Sequence, residues 1–147
     1  MKKLQGLLLA LAIVLGSVSM TPPKQFRDGI YTGESRSKYT SEPYWGKITL
    51  EIKNDQVTLL SFQIVDKEKN EILGPDYERH FKGNAMYMDQ CRNEVKGIKA
   101  YTEAFIKNRD MKHVDAISGA TWSYNLFKES VNIALEKATE RNTGLTK

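Results

Sequence analysis

Apolar and polar residues alternate strictly from Gly46 to Lys53, with Ile48, Leu50 and Ile52 on one side and Lys47, Thr49, Glu51 and Lys53 on the other. A period of two predicts a strand with one buried face. Asn54-Asp55 supplies a turn, and Gln56 to Val65 reads as a second strand with Leu60, Phe62 and Ile64 on one face. The adjacent pair Leu59-Leu60 breaks the alternation, so either a bulge or burial on both faces is expected there. Together the two strands form an antiparallel hairpin. Upstream, Asp28-Gly29 opens a turn, and Ile30, Tyr31 and Thr32 favour another short strand. The stretch from Ser35 to Pro43 is polar and loop-like.

Beyond the hairpin the period changes. Asp66 to Glu71 is a charged run, expected to be a solvated loop. Asp76 to Arg92 is ambiguous and partly helical in character. Glu94 to Lys107 is a clearer helix, with Val95, Ile98, Thr102, Phe105 and Ile106 near one face, although Gly97 inside it disfavours a helix. His113 to Ile117 reads as a short strand. A final helix runs from about Ser123 to Glu140, where Phe127, Val131, Ala134 and Ala138 recur at helical spacing. Strands followed by helices predict an α+β fold: a single domain, with an antiparallel sheet and helices packed on one face.

The N-terminus is of a different kind. Met1-Lys2-Lys3 is positive, Leu7 to Leu15 is unbroken apolar sequence, and Ser17 and Ser19 are small residues suited to cleavage. This is the pattern of an export signal, and the apolar run is short of the ~20 residues that span a bilayer. The expected organisation is therefore a signal peptide or N-terminal membrane anchor over 1–19 and a linker over 20–27 containing Pro22 and Pro23. The folded domain follows over 28–141, and a frayed tail over 142–147. The reading for localisation is extracytoplasmic, with the uncleaved anchor as the alternative.

Composition narrows the function classes. With 40% hydrophobic and 27% charged residues in 147, the chain has the balance of an ordinary folded domain. Lys2 and Lys3 contribute two of the net +4 charges, leaving about +2, too little to argue for nucleic acid or an anionic membrane surface. Cys91 is the sole cysteine, so no intramolecular disulfide can form and no cysteine ends the apolar run to take a lipid. His80 and His113 lie far apart without ligands at metal spacing, so neither a metal site nor a haem attachment is expected.

One stretch carries chemistry. In Val114 to Asn125, the small residues Ala116, Ser118, Gly119 and Ala120 lead to Thr121, with Asp115 upstream and Trp122 and Tyr124 downstream. If a helix begins near Ser123, the loop faces its unpaired N–H groups and the positive end of its dipole. A phosphate would be held well there. Thr121 would present a hydroxyl at the same place. A threonine hydroxyl is a poor nucleophile alone, and no local histidine or lysine activates it. Thr121 therefore reads as the substrate of another enzyme, not as a catalytic residue.

Asp115-Ala116-Ile117-Ser118-Gly119-Ala120-Thr121 matches Asp-x-x-(Ser/Thr)-Gly-Ala-(Ser/Thr) at all five fixed positions. That motif is the flavinylation site of the FMN-binding domain family, which includes flavin subunits of sodium-pumping NADH:quinone oxidoreductases and related complexes. Asp28-Gly29-Ile30-Tyr31-Thr32-Gly33 resembles the Asp-Gly-x-Tyr-x-Gly start of those domains. The resemblance covers about Phe26 to Ala138. It implies FMN as cofactor, joined through its phosphate to Thr121 by a magnesium-dependent flavin transferase that uses FAD and releases AMP. Under it, Ser118 hydrogen-bonds the loop or the phosphate, and Gly119 and Ala120 give clearance. Asp115 serves the transferase or the loop. Planar walls for the flavin come from Trp122 and Tyr31, with Tyr44, Trp45 and Tyr124 as further candidates. Two departures stand out: bulky Trp122 beside the acceptor, and Asn54-Asp55 where relatives often have Asp-Gly.

The function this implies is an exported electron carrier serving a membrane or extracytoplasmic redox partner, the cofactor supplying the chemistry. At this length neither a separate reductase domain nor stand-alone catalysis is expected. Two alternatives stay open: non-covalent FMN binding, and a secreted binding or assembly module without flavin.

Overall fold

The computed structural model describes residues 25–36 and 42–140, without the side chain of residue 140. The expected leader, most of the linker, the middle of the Ser35–Pro43 loop and the tail lie outside these residues. Four strands, β1 (Gly29–Arg36), β2 (Tyr44–Lys53), β3 (Gln56–Asp66) and β4 (Glu71–Ile72), form an antiparallel meander in the order β1-β2-β3-β4. Two long helices follow, α1 (Ala85–Asn108) and α2 (Thr121–Glu140), with short 3-10 helices at Pro75–Phe81 and Met111–His113. α2 lies across β1 and β2, and α1 packs beside it against β3. The fold is α+β with both helices on one face of the sheet.

The hairpin forms as its pattern dictates. Asn54 and Asp55 both take positive φ, 52° and 60°, as a two-residue turn matched to the twist of the strands requires. Asp28 accepts the N–H of Asn54 at 2.9 Å, and Asp55 accepts that of Phe26 at 2.8 Å, so the chain entering β1 is fastened to this turn. The register slips between Thr49 and Leu50: Leu50 faces Leu59, Thr49 faces Ser61, and Leu60 is the extra residue. The bulge expected at Leu59-Leu60 is present. It corrects the expected strand face, because Val57 and Leu59 point inward before it and Phe62 and Ile64 after it, while Leu60 is 50% exposed.

Glycine lets α2 approach closely. A Cβ on Gly33 would collide with the backbone oxygen of Ser130. One on Gly46 would stand 2.8 Å from the hydroxyls of both Ser130 and Ser35. Ser35 is buried in the same contact and donates to the backbone oxygen of Leu126 at 2.7 Å. The expected face of α2 is confirmed, since Phe127, Val131, Ala134 and Ala138 are all fully buried. Each larger apolar side chain contributes about 1.5–3 kcal/mol by leaving water.

Three expectations are corrected. His113 to Ile117 is no strand; its first residue closes the 3-10 helix Met111–His113 and the rest is irregular. α1 begins at Ala85, capped by the side chain of Asn84 on the N–H of Tyr87, and its buried stripe is Cys91, Glu94, Gly97, Tyr101 and Phe105. Ile106, expected inside, is 57% exposed. The charged run from Asp66 to Glu71 is solvated only in its middle, because Asp66 is fully buried. Its carboxylate accepts the N–H groups of Glu68 at 2.9 Å and Lys69 at 3.0 Å, the Lys69 ammonium at 3.0 Å, and the Tyr77 hydroxyl. That carboxylate ties the β3–β4 turn to the 3-10 helix Pro75–Phe81. No helix among the described residues is long and apolar enough to cross a membrane.

Candidate functional site

The loop into α2 is a tight turn from Ile117 to Ala120, closed by Ala120 N–H donating to the Ile117 oxygen at 3.0 Å. Gly119 takes φ +84°, the left-handed value that the third residue of such a turn needs. Ala120 then turns inward and is buried against α1, where a Cβ on Gly97 would collide with its methyl. Ala120, expected to give clearance for another enzyme, instead turns its methyl to the protein interior. Gly97 has its reason here: α1 lacks a side chain where the loop must rest on it.

α2 has alanine immediately before its first residue, where a side-chain acceptor usually caps the free N–H groups. The cap comes from the other helix. Glu94 on α1 accepts the N–H of Ser123 at 3.0 Å. Burial pushes the Glu94 carboxyl above its ordinary value, and the hydrogen bonds from Ser123 oppose the rise. Two turns further along α1, the Tyr101 hydroxyl donates to the Ala120 oxygen at 2.9 Å and accepts the Ile117 N–H at 3.0 Å.

Thr121 is the first residue of α2 and is exposed. It borders a cavity of about 580 Å³, together with Gly119, Asn93, Gln90, Glu94 and Trp122. A second cavity of about 420 Å³ adjoins it and shares Gln90, Glu94 and Trp122. Its apolar wall is Tyr44, Leu73, Phe81, Tyr87, Cys91 and Trp122. Trp122 and Tyr44 meet edge to face, with ring centres 5.1 Å apart, and the Trp122 indole N–H donates to Glu42 at 3.1 Å. Phe81 and Tyr87 stack at 5.7 Å. Burial raises the Cys91 thiol above its ordinary value, so it is a wall and not a nucleophile. The first cavity carries the carboxylates of Asp89 and Glu94, and no lysine or arginine is among the described residues that line it.

Of the residues singled out in the sequence, Thr121, Gly119 and Trp122 border the cavity, and Tyr44 stands on the wall of its neighbour. Ser118 and Asp115 are exposed on the turn and its approach, outside both cavities. Tyr31 is not brought to them. It sits in the main core, its hydroxyl donating to the Arg27 oxygen at 3.0 Å. Tyr124 packs on Tyr101 at 5.3 Å, and the Trp45 ring lies under the Lys67 ammonium at 3.4 Å, so neither lines a cavity. Glu94, Asn93, Gln90, Phe81 and Tyr87 were not read from the sequence. The ambiguous pattern of Asp76 to Arg92 hid most of this wall. The spacing of Glu94, Gly97 and Tyr101 was the available signal for the rest.

An antiparallel meander and two helices thus present a small-residue turn at one cavity, beside a second cavity with an aromatic wall. The sequence matches the model of the FMN-binding domain over residues 44–136. The chain belongs to that family, and FMN is the cofactor its membership indicates. No functionally curated protein matches the sequence. Among solved structures, the chain is similar to the CPE2226 protein from Clostridium perfringens, with TM-score 0.57 and 23% identity over 80% of this chain and 93% of that one. That likeness supports the fold alone.

Proposed function

We propose that this protein is an exported electron carrier that holds FMN covalently, through a phosphodiester to the hydroxyl of Thr121. The observation that carries the reading is an exposed hydroxyl at the first position of α2, on the rim of a cavity whose described lining carries the carboxylates of Glu94 and Asp89, the latter paired with Arg92, and no lysine or arginine. A free FMN phosphate carries about −1.5 to −2 charges and is held most strongly where cations add to the N–H groups of a helix end. Among the described residues, the cavity lining offers neutral donors, the amides of Gln90 and Asn93 and the first N–H groups of α2. A diester carries less charge, and its covalent bond makes a strong electrostatic grip unnecessary. Tyr44, Phe81 and Trp122 would wall the isoalloxazine, in a space within the range of cofactor pockets.

In the attachment step, the Thr121 oxygen forms a bond to the flavin-side phosphorus of FAD. The pyrophosphate bond to AMP breaks, and the hydroxyl proton departs with AMP. The partner for that step is a flavin transferase. Bound FMN supplies reversible electron transfer to an extracytoplasmic or membrane redox partner. The leader-like sequence from Met1 to Ser19 supports export. Intact mass of the chain co-produced with a flavin transferase is the test: a gain of one FMN less one water supports the reading. Flavin that leaves on denaturation supports non-covalent binding instead, and a colourless chain of unchanged mass supports a flavin-free binding module.

A further inference from the structure

Three residues of α1 lie beneath the attachment turn: Glu94, Gly97 and Tyr101, at steps of three and four along one helical stripe. Glu94 takes the Ser123 N–H, Gly97 receives the Ala120 methyl, and Tyr101 bridges Ile117 and Ala120. Between them they hold Ile117, Ala120 and Ser123 within the segment Ile117 to Ser123, and all act from the interior side. Ser123 adds an internal tie, its hydroxyl donating to the Ala120 oxygen at 3.0 Å. The opposite side, which carries Ser118, Gly119 and Thr121, is exposed.

This arrangement departs from ordinary capping. A serine or aspartate at the position of Ala120 would cap the helix locally, at some ~1 kcal/mol of benefit. That side chain would have to fit in the tight interior contact that the Ala120 methyl makes with Gly97. Importing the cap from α1 fixes the helix end while Ala120 stays small enough to rest on Gly97, and the exposed side at Ser118, Gly119 and Thr121 stays bare. An enzyme that closes on Thr121 needs both conditions: an acceptor held still, and nothing in front of it.

We infer that Glu94 and Tyr101 are positioning residues for the modification of Thr121, clamping the turn from beneath so that the hydroxyl is presented in a fixed geometry to the flavin transferase. The inference rests on the reading of Thr121 as the acceptor. A misplacement of about 1 Å at a reacting group can cost ~10²-fold in rate. Loss of the clamp is therefore expected in the turnover of the transfer more than in the affinity of the transferase for the chain.

The experiment measures kcat and KM for the full-length, flavin-free chain as substrate of a purified flavin transferase with FAD and magnesium. Glu94→Ala removes the cap, Tyr101→Phe removes the bridging hydroxyl and keeps the ring, and Glu94→Gln keeps an oxygen that accepts from Ser123. Alanine and phenylalanine variants are expected to lose about tenfold or more in kcat with KM within about threefold of wild type. Glu94→Gln is expected to restore kcat to within about threefold, and amide exchange at Ser123 to be fast in Glu94→Ala and slow in Glu94→Gln. If Glu94→Ala does not fold, Tyr101→Phe and Glu94→Gln decide the matter by the same criteria. Wild-type kcat in the folded Glu94→Ala or Tyr101→Phe chains overturns the inference, as does a Glu94→Gln chain as slow as Glu94→Ala. A wild-type chain that gains no FMN overturns the attachment reading and this inference together; normal labelling of wild type and variants alike overturns this inference alone.

Discussion

Gly97 on α1 and Ala120 before α2 approach so closely that a Cβ on Gly97 would overlap the Ala120 methyl and stand 3.3 Å from the Ser123 hydroxyl. In the sequence alone, Gly97 only weakened a helix. In the structure it is where the turn into α2 rests on the helix beneath it.

Gly97→Ala sets two effects against each other. Alanine is better than glycine in a helix by about 1 kcal/mol. Overpacking a tight contact costs about 1–3 kcal/mol, occasionally more, and here both colliding atoms are fixed to backbone. The expected outcome is net destabilisation by about 1 kcal/mol or more in urea unfolding, with slower flavin transfer to Thr121.

Gly33→Ala is expected to be worse. Its new methyl would meet the backbone oxygen of Ser130 at the centre of the contact between β1 and α2. Neither partner can swing aside as a flexible side chain does. A loss of about 3 kcal/mol or more is expected, read as a large fall in the urea midpoint or as insoluble protein.

Asp66 gives an acid-side signature. Burial alone would raise its carboxyl, but the Tyr77 hydroxyl, the Lys69 N–H and the Lys69 ammonium together hold it below 3.8. A lowered folded value means stability that is present above about pH 3.8 and lost as pH falls through the folded value. Asp66→Asn is expected to be less stable than wild type at pH 7, by about 2 kcal/mol for its weakened charged hydrogen bonds. The gap is expected to narrow on acidification below pH 3.8. Urea unfolding between pH 2.5 and pH 7 measures it, conditions chosen around the range at which carboxylates titrate, about pH 4. A gap that does not change with pH contradicts the assignment.

Glu94 has the opposite sign. Its folded value is raised above 4.5, first by burial, so its contribution is fully present below that pH and is lost as pH rises through the folded value. Glu94→Gln keeps the acceptor for Ser123 and removes the buried charge. The variant is expected to be at least as stable as wild type at pH 7, with its advantage shrinking as pH falls through the raised folded value and levelling off below about pH 4.5. Pronounced destabilisation of Glu94→Gln at pH 7 contradicts this.

The parts legible in the sequence are those where one residue's polarity reports its own surroundings. The alternation of Ile48, Leu50 and Ile52 fixes a strand face, and Phe127, Val131, Ala134 and Ala138 fix a helix face, because each is buried for its own apolar surface. The residues missed are buried for a partner's sake. Glu94 is buried to cap Ser123, Gly97 to admit Ala120, and Asp66 to hold Tyr77 and the β3–β4 turn. On a hydropathy pattern all three look like solvent positions. The aromatic wall divided for a related reason: sequence spacing could not separate Tyr31 and Tyr124, in the main core, from Tyr44 and Trp122, at the cavity.

The central claim is that Thr121 carries the flavin, and the most direct measurement is intact mass of the full chain co-produced with a flavin transferase. Wild type and Thr121→Ser are expected to gain one FMN less one water and to keep it through denaturation, while Thr121→Ala gains nothing. A Thr121→Ala chain that still carries one covalent FMN would contradict the account.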